Sequence, residues 1–137
     1  MEKSTNYYNT FIEVAEDCLL TKAEIPIERG NKKTVATIQF YKIKENPYLY
    51  SSDDIVFDIY VSKNAVECDD IEKEKALFFS KGQPCLRCSP LPKRYGWGIH
   101  YNAEGKIAIY AIESDEYSKL KVDAELKHLK AMRSSRK

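Results

Sequence analysis

Two short runs rich in β-branched and aromatic residues, Trp97–Tyr101 and 106–112, flank Asn102-Ala103-Glu104-Gly105, with glycine where a turn needs positive φ. This pattern predicts a β-hairpin. The second run is apolar on both sides, Ile107, Ile109 and Ala111 alternating with Ala108, Tyr110 and Ile112. Both faces of that strand need cover, which predicts an interior position in a sheet. The remaining chain must therefore supply further strands and the helices that shield them.

Upstream, 10–15 (TFIEVA) has the alternation of a short strand, and Pro26 with Arg29-Gly30-Asn31 marks a surface connection. Within 34–44, Ala36, Phe40 and Ile43 keep helical spacing although Val, Thr and Ile favour strand; the reading taken is helix, stopped by Asn46-Pro47. Ser51-Ser52-Asp53-Asp54 forms a capping-box pattern ahead of Ile55, Val56, Ile59 and Tyr60, which predicts a second helix. Residues 70–79 predict a third, with acids in its first turn and Ile71, Lys75 and Phe78 on one face. Ser114-Asp115-Glu116 starts a fourth, continued by Tyr117, Leu120, Leu126 and Leu129. Strands and helices come in blocks, so the fold class is α+β: a small, mainly antiparallel sheet with helices packed on one face.

The length of 137 residues, 43% of them hydrophobic and including ten Tyr and five Phe, suits a single globular domain spanning 1–137 with its own core. A basic tail from about residue 130 is expected to fray. The net charge is +1, so no global field favours nucleic acid as a partner. Charge is nonetheless segregated: residues 1–30 hold six acids and three bases, and the stretch from Tyr117 onward holds seven bases and two acids. No apolar run reaches the roughly 18 residues a membrane span requires, and no basic-then-apolar leader is present, so the expected setting is cytoplasmic, without a membrane partner. Four cysteines in such a chain are read as reduced thiols.

The segment 81–100 carries most of the special chemistry. Cys85-Leu86-Arg87-Cys88 has the spacing of half a zinc site or of a redox dithiol. A structural zinc site wants a second ligand pair, and Cys18, Cys68, His100 and His128 are scattered singly. A redox dithiol wants its first cysteine at a helix N-terminus, whereas Ser-Pro-Leu-Pro follows here. No metal and no cofactor is therefore expected. Cys85 as a nucleophile with His100 as base is a separate enzymatic reading, since Arg87, Lys93 and Arg94 could lower a thiol pKa. Arg87, Lys93 and Arg94 with Tyr95 and Trp97 also combine cations with flat rings, the equipment for a small anionic ligand. Packing in the core, with the bases left in water, is the favoured account of the two aromatics themselves. His100 falls on the strand face opposite Trp97, Ile99 and Tyr101. Asp53 and Asp54 are sufficiently explained as helix-start acids.

Several strings, NYYNTFIEVAEDC at 6–18, ENPY at 45–48, FSKGQPCLR at 79–87, KRYGWGIH at 93–100 and AMRS at 131–134, carry a resemblance. Through them the chain resembles, nearly end to end, a family of small bacterial proteins known only as a domain of unknown function. The resemblance implies a bacterial, cytoplasmic setting and assigns no reaction, ligand or partner. In that family's pattern the position of Cys88 holds a small residue without a thiol, which implies that Cys-x-x-Cys is peculiar to this chain. The favoured function is thus a binding module for an anionic ligand, the alternative an enzyme using Cys85 and His100, and a third reading a homodimer joined through tyrosine-rich surface.

Overall fold

The hairpin forms as expected. In the computed structural model, which describes residues 4–28, 34–64, 71–83 and 85–133, β2 (Trp97–Tyr101) pairs antiparallel with β3 (Ile107–Ala111), Ile99 opposite Ile109. Gly105 at φ +79° makes the turn, and the Asn102 side chain accepts from the Glu104 and Lys106 N–H groups. On the other side of β2 lies β1 (Thr10–Glu13), antiparallel to it, and β4 (Lys127–Lys130) runs parallel to β1. The sheet order is β3-β2-β1-β4. The class is α+β, with a mixed sheet of two antiparallel pairs and one parallel pair.

Alternation along the strands divides the apolar residues between two faces. Ile12, Trp97, Ile99, Tyr101, Ile107 and Ile109 join the main core, closed by Phe40 and Ile43 of α1 (Val35–Lys44) and Ile55 of α2 (Ser52–Asn64). Thr34 caps α1 by accepting from the Thr37 N–H. The other face carries Phe11 and Val14 under Tyr117 of α4 (Asp115–Lys121), whose cap is Ser114. Phe11 and Tyr117 meet edge to face at 5.0 Å, and the Tyr117 hydroxyl accepts the Val14 N–H. Helix α3 (Ile71–Ser80) docks through Phe78 and Phe79 onto Phe57 and Tyr60 of α2. No helix among the described residues is long and apolar enough to cross a membrane.

Two expectations need correction. β3 is an edge strand, not an interior one: its apolar pattern reports that both faces are covered, and its free edge is partly capped by Tyr48 donating to Ile107 O and by Ile107 donating to Tyr50 O. The last helix stops at Lys121, and Leu129 belongs to β4. Between α3 and β2 the chain forms a 3₁₀ turn (Leu86–Cys88) and a π-type turn (Leu91–Tyr95) ended by Gly96 at φ +80°. Beyond β4, Ala131 donates to Glu13 O and Met132 to Arg87 O, so these residues are docked. The expected turn at Arg29-Gly30-Asn31, the acid Asp70, Cys68 and the final four residues lie outside the described residues.

Candidate functional site

The structure separates the residues of the 81–100 segment. Trp97 is 7% exposed, meets Phe40 edge to face, and donates its indole N–H to Glu24 O at 2.8 Å. Tyr95 packs half-buried against the same core, and its carbonyl accepts from the Glu24 N–H. Arg87 spends its Nε–H on Lys130 O at 2.7 Å, near the end of β4. Arg94 is exposed and Lys93 half-exposed on the π-type turn. These five residues line none of the cavities described below.

Cys85 and His100 lie on opposite sides of the sheet. Strand β2 turns Tyr101 toward the main core and His100 away from it. Cys85 is on the Tyr101 side: Tyr7 sits edge to face with Tyr101 at 5.4 Å and donates its hydroxyl to Cys85 Sγ at 3.3 Å. Burial, with the Cys85 contact, pushes the Tyr7 phenol up to about 12, so it acts as a donor at neutral pH. His100 instead meets Tyr48, whose hydroxyl lies 2.7 Å from His100 Nδ1 and 2.7 Å from the Tyr110 hydroxyl. Burial lowers the His100 pKa, opposed by the charge of Asp123. Tyr48 holds φ +59°, a conformation uncommon for a residue with a Cβ.

The position of Tyr7 is built from the N-terminal segment and the start of α2. The Asp53 carboxylate accepts from the Thr5 N–H at 2.6 Å, the Thr5 hydroxyl at 2.7 Å and the Ser4 hydroxyl at 2.9 Å. In return the Asn6 side chain accepts the Asp53 N–H at 2.9 Å. Residues 4–6 are thus strapped to the helix, and Tyr7 follows into contact with Cys85. The Tyr101 hydroxyl is buried there next to the Ser52 side chain, without a well-formed hydrogen bond, and within electrostatic reach of Cys85, Tyr7 and Asp53.

Next to this cluster a hollow of about 220 Å³ opens between α1, α2 and the 85–90 segment. Val35, Val56, Ile59, Leu86 and Pro90 give it an apolar wall that also includes both cysteines of Cys-x-x-Cys. Its polar pair is satisfied internally, Ser89 donating to Gln39 Oε1 at 2.5 Å. A larger cleft of about 650 Å³ lies among α1, α2 and α3. There Lys42 pairs with Asp58 and stands 4.6 Å above the Tyr50 ring, while Lys75 pairs with Asp54 at 3.2 Å. Each ammonium already faces a carboxylate, so this cleft does not offer an anion an unpaired cation. No group of three or more His, Cys, Asp or Glu able to hold a metal occurs among the described residues.

The residues the sequence reading missed are Tyr7, Asp53 as a strap, Tyr48, and the hollow's Val56 and Ile59. The ENPY and NYYN strings drew attention only through resemblance; no local rule connects residue 7 to residue 85.

Fold and site define an α+β protein on a mixed four-stranded sheet, with a thiol-bearing apolar hollow on the side covered by α1 and α2. The model of a family of unknown function, DUF6157, matches residues 2–137, and the chain belongs to that family. Comparison with curated proteins and with solved structures gives no match.

Proposed function

We propose that this chain is a binding module for a small apolar molecule, such as a single aromatic ring or a short acyl group, held in the hollow beside Cys85. The observation that carries the reading is the wall itself: apolar side chains from two helices and a turn surround about 220 Å³, with the one polar pair already hydrogen-bonded. Drug-sized sites run to roughly 300–1,000 Å³, whereas an apolar cavity of about 150 Å³ suffices for benzene, so the ligand is small. A bacterial, cytoplasmic setting, as the resemblance implies, is part of the proposal.

The anionic-ligand reading of the same segment has less support. Trp97 gives its indole N–H to the Glu24 carbonyl and Arg87 its Nε–H to the Lys130 carbonyl, and the lysines of the larger cleft are paired. The enzymatic reading with His100 as base has less still, because the sheet stands between imidazole and thiol.

A thermal-shift panel separates these readings. Indole, small phenols and short fatty acids should raise the melting temperature by several degrees well above their Kd, and Val56→Phe, which fills the hollow, should abolish the shift while the protein stays folded. Stabilisation confined to phosphates and nucleotides, and removed by Arg94→Ala, would transfer the function to the cations. No shift with either group would end the proposal.

A further inference from the structure

We propose that Cys85 and Cys88 are a dithiol–disulfide couple that exchanges with small-molecule disulfides such as glutathione disulfide, Cys88 attacking and Cys85 resolving. The hollow need not be occupied for this chemistry. The two thiols belong to one turn: the Cys88 N–H donates to the Cys85 carbonyl at 3.0 Å. A turn closed this way brings its end α-carbons within about 7 Å, which overlaps the roughly 4.4–6.8 Å that disulfides span. Both side chains border the same hollow, so they share one side of the turn.

Exposure divides the roles. Cys88 is exposed and Cys85 half-buried, so an incoming disulfide meets Cys88 first. Cys85 receives the Tyr7 hydroxyl at 3.3 Å. The Tyr7 donor holds the Cys85 sulfur at the border of the hollow that it shares with Cys88, placed for the second attack.

The exchange balances in two steps. The Cys88 thiolate attacks one sulfur of RSSR, breaking its S–S bond, releasing RS⁻ and leaving Cys88 in a mixed disulfide. The Cys85 thiolate then attacks the Cys88 sulfur, expelling the second RS⁻ and closing the Cys85–Cys88 bond. The protein gives up two electrons, RSSR becomes two RSH, and the two thiol protons end on the two products.

The test incubates the intact protein with glutathione disulfide at pH 8, quenches with acid and maps peptides by mass spectrometry. Wild type should lose two hydrogens, with Cys85 linked to Cys88. Cys85→Ser should accumulate a glutathione adduct on Cys88, whereas Cys88→Ser should be modified at Cys85 at least ~10-fold more slowly. Tyr7→Phe should lengthen the life of the Cys88 adduct several-fold without slowing its formation, and circular dichroism checks that each variant is folded. A stable adduct on wild-type Cys88 with no internal disulfide would overturn the couple. Equal adduct lifetimes in wild type and Tyr7→Phe would overturn the role given to the phenol. Ligand-induced stabilisation through Val56 is measured separately, so either proposal can fail alone.

Discussion

A Cβ built on Gly98 would stand 2.6 Å from Phe11 Cζ and 2.7 Å from Tyr117 Cε2, well inside contact distance. Glycine is therefore needed here for space, because the edge-to-face ring pair lies directly on the strand. Both rings sit on buried side chains, and Tyr117 also accepts the Val14 N–H, so neither can retreat freely. Gly98→Ala should cost about 1–3 kcal/mol by overpacking, read from urea denaturation midpoints. A loss below ~0.5 kcal/mol would mean that the rings yield more easily than their packing indicates. The same scale shows what the residues alone could not reveal. Trp97 beside Arg94 and Lys93 looks identical in sequence whether its ring faces a ligand or the core. What decides the matter is Phe40 and the Glu24 carbonyl, 57 and 73 residues away.

At the scale of elements, local signals held where local physics governs. The start of α2 is a working capping box: Ser51 donates its N–H to Asp54 Oδ2 at 3.0 Å, and the Asp54 N–H returns to Ser51 Oγ at 3.2 Å. Burial raises the Asp54 pKa, but the Ser51 N–H and the Lys75 ammonium outweigh it and hold the carboxyl below its ordinary value. Ser51→Ala should destabilise by about 0.5–2 kcal/mol, visible as a lower thermal midpoint; no change would mean that the cap is redundant with the Asp53 strap. Asp53 acts differently from its neighbour, since its three accepted hydrogen bonds tie residues 4 and 5 to the helix. Asp53→Ala should therefore loosen Tyr7 and change the alkylation rate of Cys85 by iodoacetamide; an unchanged rate would show that Tyr7 is positioned by Tyr101 alone. The hairpin, β1 and the helix starts were legible for this reason: each is set by residues within a few positions of one another. β4 was not, because Lys127-His128-Leu129-Lys130 has little strand character of its own and becomes a strand only by lying parallel to Thr10–Glu13, over a hundred residues earlier. The edge position of β3 was hidden similarly: alternation reports which faces are covered, not the order of strands. Within the candidate site, Cys85 and Cys88 were recognisable, while the walls of their hollow, drawn from α1 and α2, were not.

For the whole molecule, the two sides of the sheet differ in how they answer to pH. The side bearing the thiols is governed by phenols whose pKa values burial raises, so they remain neutral through the physiological range. The other side holds His100, half-buried against the Tyr48 hydroxyl, which also meets the Tyr110 hydroxyl, and within reach of the charge of Asp123. Burial lowers its pKa in the folded protein, and the carboxylate of Asp123 opposes without reversing the shift. An unfolded chain returns the imidazole to about 6.5. Below that pH the unfolded state binds more protons than the folded one, so stability is complete above about 6.5 and is lost as pH falls toward the depressed folded value. Asp54, also depressed, contributes in the same direction but only at the lower pH where carboxylates titrate. The melting temperature should therefore fall between pH 7.5 and 5.5, and His100→Gln, which keeps an acceptor for Tyr48 but cannot take up a proton there, should flatten that part of the curve while leaving the decline below about pH 4. A variant retaining the full wild-type slope would assign the effect elsewhere. Because Cys85 is on the far side of the sheet, the same substitution should leave closure of the Cys85–Cys88 disulfide by glutathione disulfide unchanged, and a parallel change in both would mean that the two sides are coupled through the strand between them.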